Sequence, residues 1–199
     1  MINENYKPQP GRLSDKDITW LCMGSNPMIS PFVAKQSGKP SFGLSSAGYD
    51  FRLGEFYYEQ LAPITDFVVD PLSEIDQIAT WVRRQAKDGK IIIPPSGCLL
   101  TETIETMNMP DDVVATVLGK STMARNNIIL NTTPLEPGWR GVVTLEIHNC
   151  SSLYSVVLRV GHGIAQCLFD RMANPPARTY SNRETSATYQ DQTGVTFSR

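Results

Sequence analysis

The sequence predicts a mainly β fold, a jelly roll or distorted barrel with a few short helices. Short apolar or alternating runs recur along most of the chain, Gly- and Pro-rich turn signals separate them, and only two segments repeat at helical spacing. The runs are Tyr49–Leu53, Phe67–Val69, Ile91–Ile93, Cys98–Thr103, Val113–Leu118, Ile128–Leu130, Val142–Ile147, Val156–Val160 and Ile164–Phe169. Pro94-Pro95-Ser96-Gly97, Pro110-Asp111-Asp112, Pro137-Gly138 and Gly161-His162-Gly163 punctuate them. The first helical segment spans residues 13–23, with Ser14 as N-cap and Ile18 and Leu21 on one face. The second spans residues 73–88. Ser73 and Asp76 there resemble a capping box, and Ile75, Ile78, Ala79, Val82 and Ala86 form an apolar stripe with Arg83 and Arg84 opposite.

The bulk numbers bound the function. At 199 residues and 41% hydrophobic content the chain suits one domain, residues 1–199. A net charge of -2 argues against a surface that tracks DNA or RNA, while a few local cations suffice for a mononucleotide. No long apolar run suggests a membrane span, and MINENYKPQP lacks a basic-then-apolar leader, so a cytoplasmic location is expected. Cys22, Cys98, Cys150 and Cys167 form no C-x-x-C pair, and with only His148 and His162 present no zinc site is expected. From about residue 175 the chain is polar. It is either a frayed end or a tail that orders over a ligand.

Three segments can carry chemistry. Gly119-Lys120-Ser121-Thr122 suits phosphate, through close backbone approach, hydroxyls and the charges of Lys120 and Arg125. It is not a P-loop, because Val114 stands where the first glycine should be. An ordinary polar turn is the bland alternative. In Val142–Asn149, alternation puts Val143, Leu145 and Ile147 on one face and Thr144, Glu146 and His148 on the other. If that second face lines a pocket, Glu146 is a candidate general base; otherwise it is a solvated strand residue. Leu135–Gly141 is a tight turn led by Glu136, either a plain strand connection or a carboxylate held near a sugar or a water.

In this order these segments resemble the signature of dCTP deaminases, members of the trimeric dUTPase superfamily. The run Gly119–Asn149 carries the resemblance. Ala47-Gly48-Tyr49-Asp50-Phe51-Arg52-Leu53-Gly54, Leu13–Ile18, Met109–Asp112, Gly163–Gln166 and Tyr189–Gly194 extend it over nearly the whole chain. The resemblance implies a dUTPase-like fold and a homotrimer with sites between subunits. It also implies hydrolytic deamination of dCTP to dUTP and ammonia by a glutamate-activated water, without zinc, with Mg²⁺ travelling on the triphosphate. By the same resemblance Glu146, Ser121 and Arg125 are the catalytic residues. Lys120, Ser121, Thr122, Met123, Ala124 and Arg125 face the phosphates, and Glu136 faces the deoxyribose. Thr144, Leu145 and Glu146 read the cytosine edge, and Tyr180 and Gln192 close the site. The tail lysine usual in the family is Thr188 here, and Arg183 is the nearest cation in sequence. Alternatives stay open: dUTP pyrophosphatase activity alone or combined with deamination, another deoxycytidine nucleotide (5-substituted or monophosphate) as substrate, a non-catalytic nucleotide sensor, and dTTP as an inhibitor.

Overall fold

The computed structural model describes residues 6–61, 68, 70, 72, 81–183 and 188–197. Among them are twelve strands and two short helices. In order they are β1 (Gly11–Arg12), α1 (Asp15–Leu21), β2 (Ile29–Ser30), β3 (Gly43–Ser45), β4 (Gly48–Gln60), β5 (Trp81–Gln85), β6 (Lys90–Ile93), β7 (Cys98–Asn108), β8 (Val113–Gly119), α2 (Ser121–Ala124), β9 (Ile128–Asn131), β10 (Arg140–Asn149), β11 (Val156–Arg159) and β12 (Gly163–Arg171). A 3₁₀ turn covers Tyr180–Asn182. The expected mainly β architecture is thus present. No helix of the described residues is long and apolar enough to cross a membrane.

All strand pairs are antiparallel, and ten strands join one branched sheet with the path β1-β12-β4-β7-β10-β9. The long strand β4 makes the sheet turn a corner. Tyr49–Arg52 pair with β12, Leu53–Glu59 pair with β7, and a register shift between Leu53 and Tyr57 bends the strand. Alternation along β7 and β10 points Leu99, Met107, Val143, Leu145 and Ile147 into the core. The polar residues on the inner face of β7 are satisfied. Thr101 Oγ1 donates to the Phe56 carbonyl, and Val143 N–H donates to Thr103 Oγ1. The fully buried Glu105 accepts from Arg52 N–H at 2.9 Å and from Arg52 Nε at 2.7 Å. Arg52 of the Ala47–Gly54 motif is thereby tied to the core through both its backbone and its side chain.

Helix α1 starts where expected. Ser14 caps it and Asp17 completes a capping box, while Ile18 is buried beneath. The second expected helix needs correction. Residues 73–80 lie outside the described residues, and residues 81–85 are β5, paired with β4. Strand pairing wins there because both faces find partners. Arg83 lies 4.4 Å over the Phe56 ring, and Arg84 Nε reaches Glu59 at 3.3 Å. The run ends at Asp88-Gly89, both with positive φ, closing a two-residue hairpin between Lys87 and Lys90. Asp-Gly is among the strongest hairpin signals, and it outranks the apolar stripe. The expected Phe67–Val69 strand falls outside the described residues but for Val68, which is in no strand.

Close backbone approach fixes one more feature, where β12 begins. A Cβ on Gly163 would sit 1.8 Å from the Ser41 carbonyl oxygen. A backbone atom cannot rotate aside, so Gly163→Ala is expected to cost about 3 kcal/mol, at the upper end of ordinary overpacking. Thermal unfolding should show a Tm lower by about 6–12 °C for a chain of this size.

Candidate active site

Glu146 is placed by β10 as the alternation requires, with Thr144 half-buried on the same outer face and His148 exposed beyond it. Opposite Glu146 in the register stands Asn131, the last residue of β9, whose Nδ2 donates to Glu146 Oε2 at 2.6 Å. That bond holds one carboxylate oxygen and leaves the other to a ligand or water. The adjoining cavity has a volume of about 630 Å³, within the range of small-molecule sites. Its walls carry Glu136, Thr144, Glu146, Tyr180, Arg183 and Gln192. Two stretches well separated in sequence therefore converge on it: the Glu136 turn with β10, and the 3₁₀ turn with the tail.

The turn and the tail are locked to each other. Gly138 has φ of 78°, and Tyr180 N–H donates to the Pro137 carbonyl at 2.8 Å. Tyr180 is buried, and its hydroxyl accepts from Tyr189 N–H. The Arg183 guanidinium lies over the Tyr180 ring and pairs with Glu136. The tail then runs beside β10. Trp139 Nε1 donates to the Tyr189 carbonyl, Val142 N–H donates to the Gln192 carbonyl, and Arg140 pairs with Asp191. Gln192 Nε2 donates to the Val142 carbonyl and to Thr144 Oγ1, while its Oε1 is buried without a partner among the described residues. Residues 188–197 are thus docked along the wall that holds Glu146 rather than frayed.

The phosphate-suited turn is elsewhere. Lys120–Arg125 contributes nothing to the wall of the Glu146 cavity. Arg125 precedes β9, whose first residue Ile128 pairs with Asn149; Glu146 lies opposite β9's far end. The three residue steps between those ends separate them by about 10 Å of strand. Thr122 and Met123 instead border a smaller cavity of about 340 Å³ with His162 and Arg159. Lys120 Nζ is occupied by Asp50 Oδ2 at 2.6 Å and by Ser41. Of the residues expected in the site, the structure gathers Glu136, Thr144, Glu146, Tyr180 and Gln192. Leu145 points into the core behind them, and Ser121, Thr122, Met123, Ala124 and Arg125 stand apart.

Asn131 and Thr132 were missed from sequence. Only the register shows that Asn131 faces Glu146, and that Thr132 Oγ1 donates to the Thr144 carbonyl. Beyond Glu146 on the same face, Cys98 Sγ lies 3.5 Å from His148 Nε2. Burial, with the Glu146 charge adding to it, pushes the Cys98 thiol up to about 11. Among the described residues no group of three or more His, Cys, Asp or Glu side chains is placed to hold a metal ion. A larger cavity, about 820 Å³, is lined by Trp20, Met23, Asp111 and Arg140 and contains none of the expected residues.

Comparison with known proteins identifies the family. Residues 12–172 match a family described as dCTP deaminase-like. A dCTP deaminase of Pelagibacter ubique is 40% identical over 187 residues, covering 93% of this chain and 97% of that protein. One of Campylobacter fetus is 40% identical over 195 residues, covering 95% and 98%. The crystal structure of 2'-deoxycytidine 5'-triphosphate deaminase from Agrobacterium tumefaciens superposes with a TM-score of 0.60 at 20% identity. That match covers 81% of this chain and 48% of the larger protein, so it speaks to the fold alone.

Proposed function

The chain belongs to the dCTP deaminase-like family, and from that premise we propose that it hydrolyses dCTP to dUTP and ammonia with Glu146 as the general base. The observation that carries the proposal is the Glu146 carboxylate on a cavity wall, one oxygen held by Asn131 and Thr144 beside it. Cytosine is an amidine-like electrophile at C4. Glu146 takes a proton from water as the hydroxide adds to C4, and ring nitrogen N3 accepts a proton. That proton comes from Glu146, which then takes the proton of the C4 hydroxyl and passes it to the amino group; ammonia leaves, and C4 becomes the uracil carbonyl. The balance is dCTP plus water to dUTP plus ammonia. Deaminases that use zinc carry H-x-E and P-C-x-x-C motifs, which this sequence lacks. The substrate is the magnesium complex of dCTP, because a triphosphate chelates Mg²⁺ through its own oxygens.

The remaining parts fit a nucleotide. Glu136 suits a sugar hydroxyl, and the unpartnered Gln192 Oε1 is an acceptor for a donor group of the ligand. One chain alone leaves the phosphates without Ser121 and Arg125. A second copy that sets its Lys120–Arg125 turn against the Glu146 cavity would complete the site, and a closed homotrimer gives each cavity one such turn. The docked tail is the element that closes over the nucleotide.

Incubation with dCTP, dCMP and dUTP, with and without Mg²⁺, tests the reaction. The expected products are dUTP and ammonia from dCTP. Release of dUMP and pyrophosphate from dCTP would mark a combined activity. Turnover of dUTP alone would overturn the deaminase proposal.

Thr188 gives a second expectation. It is exposed, and the cation inside the cavity is Arg183. Arg183 is expected to serve the triphosphate, so dCTP should exceed dCMP in kcat/KM. Thr188→Lys should lower KM for dCTP with little change in kcat, the pattern of uniform binding. A preference for dCMP in the unmodified enzyme would reject this.

A further inference from the structure

Asp50 of the Ala47–Gly54 motif has no part in the proposed chemistry, yet it is built into the fold as a charged anchor. Asp50 sits on β4 opposite Gln166 of β12 and Gly43 of β3, and it is 1% exposed. A buried carboxylate on a rigid strand must be paired to be tolerated. Its partner is Lys120, 70 residues away in sequence, at 2.6 Å. Gln36 Nε2 donates to the same oxygen at 2.8 Å, while Asp50 Oδ1 is buried without a partner among the described residues. The Lys120 side chain is only 13% exposed. An ammonium has three donors, and the surroundings of Lys120 supply three acceptors: Asp50 Oδ2, the Ser41 carbonyl at 2.9 Å and Ser41 Oγ at 3.2 Å.

Lys120 is also the hinge of the turn that follows. Its carbonyl accepts from Met123 N–H at 2.9 Å and from Ala124 N–H at 3.1 Å, so its position sets the backbone from Ser121 to Arg125. No side chain caps α2. A four-residue helix without such a cap has little stability of its own and takes its orientation from what holds its ends. At the leading end that is the Lys120–Asp50 pair. Ser41 is in turn held where Gly163 lets its carbonyl approach.

We infer that Asp50 is a positioning residue for the Ser121–Arg125 turn, acting through Lys120, and that the Lys120 ammonium binds the protein rather than the phosphates. This rests on the proposed role of that turn. The pair connects the centre of the β4–β12 sheet to the segment that a neighbouring copy would present to the nucleotide. A turn so fixed keeps its serine and arginine in place before substrate arrives.

Lysine acetylation of the wild-type enzyme, read by peptide mass spectrometry, tests the inference without any variant. Lys120 should label slowly, at the same rate with and without Mg·dCTP. Rapid labelling that dCTP suppresses would make it a phosphate ligand and overturn the inference. In Asp50→Asn, Lys120 labelling should rise about tenfold as its anchor is lost; no rise would equally overturn it. In kinetics, Asp50→Asn and Lys120→Met should each lower kcat by about tenfold to a hundredfold, by the same factor for dCTP and dCMP. The neutral pair Asp50→Asn/Lys120→Gln should recover part of that loss. A Lys120→Met loss confined to dCTP would favour direct phosphate binding instead. Ser121→Ala and Arg125→Ala, assayed alongside, separate the two failures. If both keep wild-type activity the turn is not in the site, and the labelling pattern still reads the Asp50–Lys120 link.

Discussion

Glu146→Gln is expected to abolish turnover while leaving nucleotide binding nearly intact. The substitution changes little in shape. Asn131 Nδ2 donates to one oxygen of Glu146, and a glutamine Oε1 can accept the same bond. The neighbouring β10 residues Leu145 and Ile147 are buried in the core, so the strand does not move. What is lost is the capacity to take a proton from water and pass it to the ring. General-base catalysis typically contributes 10²–10⁴-fold, or about 3–5 kcal/mol of barrier. Steady-state assay and calorimetric titration with dCTP should therefore diverge, with kcat falling by that range and affinity changing by less than about threefold. A variant within tenfold of wild-type kcat would falsify the base assignment. Asn131→Ala gives the complementary result. With the carboxylate retained but no longer steered, activity should fall partially, in kcat rather than in KM.

How much of this was legible in the sequence depended on the range over which each signal acts. The alternation of Val142–Asn149 predicted both faces of β10, because a period of two needs no knowledge of partners. Ser14, with Ile18 and Leu21 on one face, announced α1 for the same local reason. The segment at residues 81–85 failed because its apolar spacing is compatible with a helix. The deciding contacts, Arg83 on Phe56 and Arg84 on Glu59, are made by a strand more than twenty residues earlier. The Asp88-Gly89 hairpin signal was local and could have corrected it. Within the site, Glu136, Glu146 and Gln192 were identifiable by resemblance. Asn131 was not, because it matters only through the register of β9 on β10. Lys120 shows the opposite limit. A lysine beside a glycine and two hydroxyl residues reads as a phosphate ligand, and only the fold reveals that Asp50 already holds it.

Mixing two inactive variants should restore activity, and this tests how the site is divided. In one chain Glu146 and Arg125 stand near opposite ends of β9, none of Lys120–Arg125 reaches the Glu146 cavity, and Thr122 and Met123 border a different one. If each site takes Glu146 from one copy and Arg125 from its neighbour, Glu146→Gln and Arg125→Ala damage different halves. In a homotrimer assembled from an equal mixture, a site is intact when an Arg125→Ala chain supplies the glutamate and a Glu146→Gln chain supplies the arginine. Random assembly makes about a quarter of the sites intact. Coexpressed or refolded mixtures should thus recover about a quarter of wild-type kcat per site, from parents each at least about a hundredfold down. A chain carrying both substitutions, mixed with wild type, gives the control. Wild-type neighbours alone make an intact site there, and activity again falls to about a quarter rather than a half. Separate folding followed by mixing below the exchange temperature should give nothing, since the subunits have not been shuffled. If the coexpressed mixture stays as inactive as its parents, both residues act within one chain, and the turn would have to travel the length of β9 to meet Glu146. Light scattering on the same samples fixes the assembly, with three chains of 22.1 kDa expected per particle.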